Sequence, residues 1–275
     1  MPALQRVLIV HNRYSSEVPS GENLVVEEQA TTLGQLGLDI EVFAADNDAV
    51  KQASLGQRVR ALPRGTWSLS AARDLERRVR AFRPDIVHVH NVFPLLSPSV
   101  MRVLARLGLP TAWTVHNYRI GCIASSYWRG DGACRACTRT AHLAGVVYGC
   151  YAGSRGASAA VTLGAVALRP FARRVTAIAI SAHMRAWLVD RQRFDPDAVV
   201  VVPNGVPAPA AVGPPPSAGD AVVFAARLAP EKGVDLVLDA WRRHRAPGGR
   251  LLVAGSGPEE AKVAAAAAAD PSIEA

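Results

Sequence analysis

Short continuous apolar runs alternate with stretches of helical spacing along most of the chain. Residues 6–10, 40–44, 111–115, 175–180, 199–202, 222–225 and 250–254 are strand-length runs rich in branched side chains, the pattern of strands buried on both faces. Residues 85–91 form a further strand whose alternation puts His88 and His90 on one face. Between the strands, residues 24–36 carry Leu24, Val25, Ala30, Leu33 and Leu36 at mixed helical spacing and close on Gly34 and Gly37. Residues 69–82 place Leu69, Ala72, Leu75, Val79 and Phe82 on one helix face, and Pro84 stops it. Helices are also predicted over 97–107, over 154–171, from an N-cap at Ser181 through 188, over 234–241, and after the turn at 255–259. Strands alternating with helices predict an α/β fold with parallel sheets.

The chain is divided by residues 207–219, dense in Pro, Ala and Gly, which read as a linker. Residues 1–206 form a first Rossmann-like domain, with an insertion at about 119–153. Residues 220–275 begin a second. Two strands and two helices are too few to cover both faces of a doubly wound sheet, so this domain is expected to be incomplete and the chain a truncated product.

Composition narrows the class. Of the 275 residues 49% are apolar, which excludes disordered and fibrous chains. The run at 7–10 is too short for a signal peptide, and the longest apolar stretch, 157–168, is too short to span a bilayer; both point to the cytoplasm. The net charge of +8 sits in the first domain, with 24 Lys/Arg against 15 Asp/Glu in residues 1–205. That fits peripheral contact with an anionic membrane surface or a polyanionic acceptor, and equally plain solubility. No basic run alternates with aromatics, so nucleic acid is not the expected partner.

Candidate chemistry lies at strand ends. Arg227, Glu231 and Lys232 follow the strand at 222–225 and precede a helix, where open α/β sheets bind ligands; two cations beside a helix N-terminus suit a diphosphate. Solvated surface charges are the alternative, but the chain has 28 Arg and only 3 Lys, so composition does not account for Lys232. Gly21 stands at the entrance of the first helix, where the backbone is open to a ligand. His90 with Asn91, and His116 with Asn117, end two strands on the same rim. Without a third ligand nearby, a metal on His88 and His90 is disfavoured, and a hydrogen-bonded core role for His116 stays open. The Gly255-Ser256-Gly257 turn needs close backbone approach, to a ligand or to a neighbouring strand.

Four cysteines, Cys122, Cys134, Cys137 and Cys150, fall within 29 residues at intervening spacings of eleven, two and twelve. They read as a structural zinc site that would staple a long polar loop, with disulfides or free thiols as the alternatives.

In order along the chain, Gly21, His90, His116, Pro203-Asn204-Gly205-Val206, VVFAARLAPEKGVDL at 222–236 and Gly255-Ser256-Gly257-Pro258-Glu259 resemble the retaining family-4 glycosyltransferases, two Rossmann-like domains in the GT-B architecture. The resemblance implies a nucleotide-diphosphate sugar as donor, a hydroxyl acceptor, and no cofactor required for catalysis. It implies that Arg227 and Lys232 stabilise the departing diphosphate, that Gly21, Gly255 and Gly257 bind donor, and that His116 touches the transferred sugar. His90 and Asn91 would line the acceptor side. Some members of the family carry a similar four-cysteine insertion ending like Gly149–Ser154. The chain departs from the pattern in lacking the family's later glutamate pair, since Glu259-Glu260 comes too early. A nucleotide-sugar epimerase of the same fold and a non-catalytic binding module are the alternative readings.

Overall fold

The computed structural model describes residues 4–14, 16, 20–48, 66–140, 142–206, 213, 220–245 and 247–275. Most of the linker expected at 207–219 lies outside them. The chain divides into two compact units, one of Met1–Tyr127 with Cys134–Pro207, the other of Trp128–Ala133 with Ala208–Ala275.

The first unit is built on a six-stranded parallel sheet. Its strands are β1 (Arg6–Arg13), β2 (Asp39–Asp46), β3 (Ile86–Val89), β4 (Thr111–Val115), β7 (Thr176–Ala179) and β8 (Val199–Val201), in the order β2-β1-β3-β4-β7-β8. Between β4 and β7, β5 (Trp128–Arg129) and β6 (Gly132–Ala133) form a small antiparallel hairpin. The interior strand β1 shows why the apolar runs are continuous. Val7 and Ile9 pack with Val26 of α1 (Gly21–Gln35), while Leu8 and Val10 face a larger core. That core includes Leu75 of α2 (Leu69–Phe82), Leu104 of α3 (Ser99–Leu107) and, past the short α4 (Ala136–Arg139) and α5 (Leu143–Val147), Leu168 of α6 (Arg155–Ala172). With helices on both faces, neither face of a strand can be polar.

Serine starts four of these helices. Ser20, Ser68, Ser154 and, before α7 (Ala182–Gln192), Ser181 each accept from the backbone N–H three residues on, satisfying a donor that the first turn leaves free. The predicted bounds of α2 are those observed. The apolar face of α1 differs from expectation: Val26 is its buried residue, while Leu24 and Leu36 are exposed.

The second unit has a three-stranded parallel sheet, ordered β11-β10-β9. Strand β9 (Ala221–Ala225) is followed by α8 (Val234–His244), β10 (Arg250–Ala254), α9 (Glu260–Ala269) and β11 (Ile273–Glu274). Strand β11 is absent from the sequence expectation. Strand β9 is not the buried strand predicted, since Val222 is 54% and Val223 62% exposed. It is an edge strand among the described residues, paired only with β10, and the core of this unit gathers on Leu251, Val253, Leu238 and Trp241 instead.

Candidate functional site

Parallel strands deliver the polar ends of β1, β3 and β4 to one rim of the first sheet. His11 ends in a hydrogen bond to Asn23 Oδ1 at 2.9 Å, and His88 in one to Thr114 Oγ1 at 2.7 Å. Just past β3 and β4, His90 Nδ1 and His116 Nε2 are 2.9 Å apart with nearly parallel rings. The structure therefore brings His90 and His116 together. Burial, followed by the charges of His11 and His88, pushes the pKa of His116 down to about 4. Burial alone takes His88 to about 4, and burial with three histidine neighbours holds His90 well below the ordinary histidine range. At neutral pH each ring is neutral, with one donor and one acceptor nitrogen.

Asn91 locks the turn beneath this pair. Its side-chain amide donates to the backbone carbonyls of Asn12 and Phe93, both at 2.9 Å, and its Oδ1 accepts from Phe93 N–H. Both amide hydrogens are thus used inside the fold. Gly21 opens α1, and a Cβ there would meet nothing within 4 Å, so neither packing nor backbone conformation requires glycine.

Glu22, Tyr14 and Arg119, which the sequence did not single out, join the site. Glu22, in the first turn of α1, turns its Oε1 toward Asn117, whose Nδ2 donates at 2.7 Å; the Tyr14 hydroxyl lies 3.4 Å from the same oxygen. Arg119 is buried, donates to Ile123 O at 3.1 Å and lies over the Tyr151 ring at 5.2 Å. Burial raises the pKa of Glu22, against the opposing pull of its hydrogen bond to Asn117 and the Arg119 charge. Glu22, His90, Asn91, His116, Asn117 and Arg119 line a small cavity of about 30 Å³. An acid directly after the helix-opening Gly21 was the one available signal.

In the second unit, Arg227 is exposed and ion-paired with Glu231 one turn on. Lys232 ends the turn at Pro230–Lys232, is exposed, and pairs with no carboxylate among the described residues. Gly233, left-handed at φ 78°, then leads into α8. The turn thus offers one cation already matched and one unmatched. Gly255 and Gly257 have φ of 153° and 151°, and a Cβ on them would fall 1.8 Å from Ala226 O and 2.5 Å from Leu228 O. Leu228 N–H donates to Ser256 O at 2.8 Å and Glu259 N–H to Leu228 O at 2.9 Å. Approach of the neighbouring loop backbone explains both glycines.

The cysteines do not assemble the expected zinc site. Among the described residues no three His, Cys, Asp or Glu side chains come together around a metal position, and none of the four cysteines is in a disulfide. Cys122 and Cys137 are buried and Cys134 and Cys150 half-buried. Burial pushes the pKa of the Cys122 thiol up.

Residues 19–208 match the family model for Glycosyltransferase Family 4. The chain belongs to that family. No curated protein matches the sequence. Among solved structures, a glycosyltransferase from Rickettsia africae is similar at 16% identity and a TM-score of 0.55, over 92% of this chain and 60% of its own. HepE from Anabaena, solved in complex with UDP, is similar at 14% identity and a TM-score of 0.54, over 98% of this chain and 68% of its own. At these identities the likeness is one of fold, the paired Rossmann-like domains of GT-B enzymes. The chain spans 60% of the length of the Rickettsia protein. No helix among the described residues is long and apolar enough to cross a membrane.

Proposed function

We propose that this family-4 chain carries the machinery for moving a sugar from a nucleotide-diphosphate sugar to a hydroxyl acceptor, with retention at the anomeric carbon. The observation that carries the reading is the rim of the first sheet, where His90 and His116 meet beside the open helix entrance at Gly21. Ligands of open α/β sheets bind at the carboxyl ends of strands. Breaking the glycosidic bond leaves charge on the β-phosphate; Lys232 supplies positive charge for it, and Arg227 does so by exchanging Glu231 for the phosphate. A well-placed donor of this kind contributes about 3–4 kcal/mol to the transition state. His116, neutral at pH 7, serves as a hydrogen-bonding contact for the transferred sugar rather than a cation. His90 faces the acceptor side, and Asn91 acts there by holding the turn. The acceptor is a hydroxyl of a cell-surface glycan, lipid or small molecule, and the basic first domain supports work at an anionic surface in the cytoplasm.

The test is release or transfer of sugar from a panel of nucleotide sugars, by wild type and by Lys232→Ala. The reading expects turnover that falls roughly 100-fold or more in the variant. Turnover that is present and unchanged would remove Lys232 from the mechanism, and no turnover of any nucleotide sugar would remove the transferase assignment.

A further inference from the structure

The cavity at the rim of the first sheet is lined by three side chains that each leave one buried polar atom without a partner: Glu22 Oε2, His90 Nε2 and Arg119 Nε. Native interiors leave few such atoms, because a buried polar group without a partner has given up its hydration for nothing. The first turn of α1 favours an acid at position 22, but that preference does not set where its carboxylate points. Its carboxylate does not cap its own helix; it reaches across to Asn117, 95 residues on, which fixes one oxygen and leaves the other free. His90 is 1% exposed and held from the other side by His116. The space of about 30 Å³ admits one oxygen-sized group, and the lining asks that group both to donate and to accept. A hydroxyl does both.

We propose that Glu22 and His90 form a subsite for one hydroxyl of a bound sugar, the hydroxyl donating to Glu22 Oε2 and accepting from the imidazole or guanidinium N–H. This rests on the glycosyltransferase reading and assigns Glu22 as a sugar-contacting, specificity-determining residue. The carboxylate is the discriminating part, because a site built to bond a hydroxyl rejects the analogue that lacks it far more strongly than an apolar pocket does. Ordered water answers the same three atoms and is the competing occupant.

The test titrates the 275-residue chain and its Glu22→Gln variant by calorimetry. The probes are UDP and GDP; UDP-glucose, UDP-N-acetylglucosamine and GDP-mannose; and the methyl glycosides of the same sugars. Gln keeps the shape and the acceptor for Asn117 while replacing the free oxygen by a donor. The proposal expects at least one sugar-bearing probe to bind the variant tenfold or more weakly, with the nucleotide diphosphates changed less than twofold. A loss confined to nucleotide sugars makes the hydroxyl the donor's, and one confined to glycosides makes it the acceptor's. Sugar binding equal in both chains overturns the subsite, leaves water as its occupant, and leaves the transferase reading standing. A wild-type chain that binds no nucleotide and no sugar overturns both. If Glu22→Gln does not fold, Glu22→Asp, which withdraws the carboxylate by one methylene, carries the same expectations.

Discussion

Asn117 Nδ2 donates to Glu22 Oε1 at 2.7 Å, tying the carboxyl end of β4 to the first turn of α1. The bond decides where the carboxylate points, because Tyr14 at 3.4 Å is a weaker partner. Asn117→Ala is expected to cost about 1.5–3 kcal/mol of stability, the range for a hydrogen bond to a charged group. In Glu22→Ala/Asn117→Ala the two losses should fall short of additivity by roughly 0.5 kcal/mol or more. Urea unfolding of the two single variants and the double variant measures the coupling. Strict additivity would mean that the two side chains act independently.

Acid should weaken the first unit through its histidines. The folded pKa values of His88, His116 and His142 are each held down to about 4, by burial first, with neighbouring histidines adding to it at His116 and Arg169 at His142. The unfolded values lie near 6.5, so between about 6.5 and 4 the unfolded chain binds protons that the folded chain refuses. Stability therefore falls as pH drops through that window and is level above it, with a slope of up to about 1.4 kcal/mol per pH unit for each histidine. Urea midpoints at pH 7.5, 6 and 5 follow the effect, and His88→Gln should flatten the slope. Equal midpoints at pH 7.5 and 5 would contradict the buried neutral rings.

What the sequence could disclose was local. The alternation of strands and helices, the limits of α2 and the cap at Ser181 follow from spacing and from the chemistry of a single turn. The strand ends at His90 and His116 were readable for the same reason. Glu22 was not, because its role depends on an asparagine 95 residues away. The exposure of Val222 and Val223 depends on how many strands and helices surround β9, which a run of branched residues does not encode. Strand β11 is two residues long with a single apolar side chain, too short for any period. Cysteine spacing likewise suggested a tetrahedron that is not found among the described residues.

The thiols give a direct check of that correction. With no metal cluster among the described residues, chelator should leave the melting temperature and the thiol reaction unchanged. Cys134 and Cys150, half-buried, should react with a thiol reagent before the buried Cys122 and Cys137. Thiols that become reactive only after chelation would restore the zinc reading.

Two glycines that look alike in the sequence should respond in opposite ways to the same substitution. Gly255→Ala drives a methyl to 1.8 Å from Ala226 O at a φ of 153°, so backbone must shift beside the Leu228–Ser256 hydrogen bond. The expected cost is about 3 kcal/mol or more, enough to unfold the second unit at moderate denaturant. Gly21→Ala meets open space in the first turn of a helix and should leave stability unchanged or raise it by up to about 0.5–1 kcal/mol. If Gly21 borders the bound nucleotide sugar, as proposed, the same stable variant should bind that ligand more weakly. Thermal unfolding and nucleotide-sugar titration of the two variants separate a glycine kept by packing from one kept for a ligand. A Gly21→Ala chain with unchanged stability and unchanged affinity would leave that glycine with neither reason.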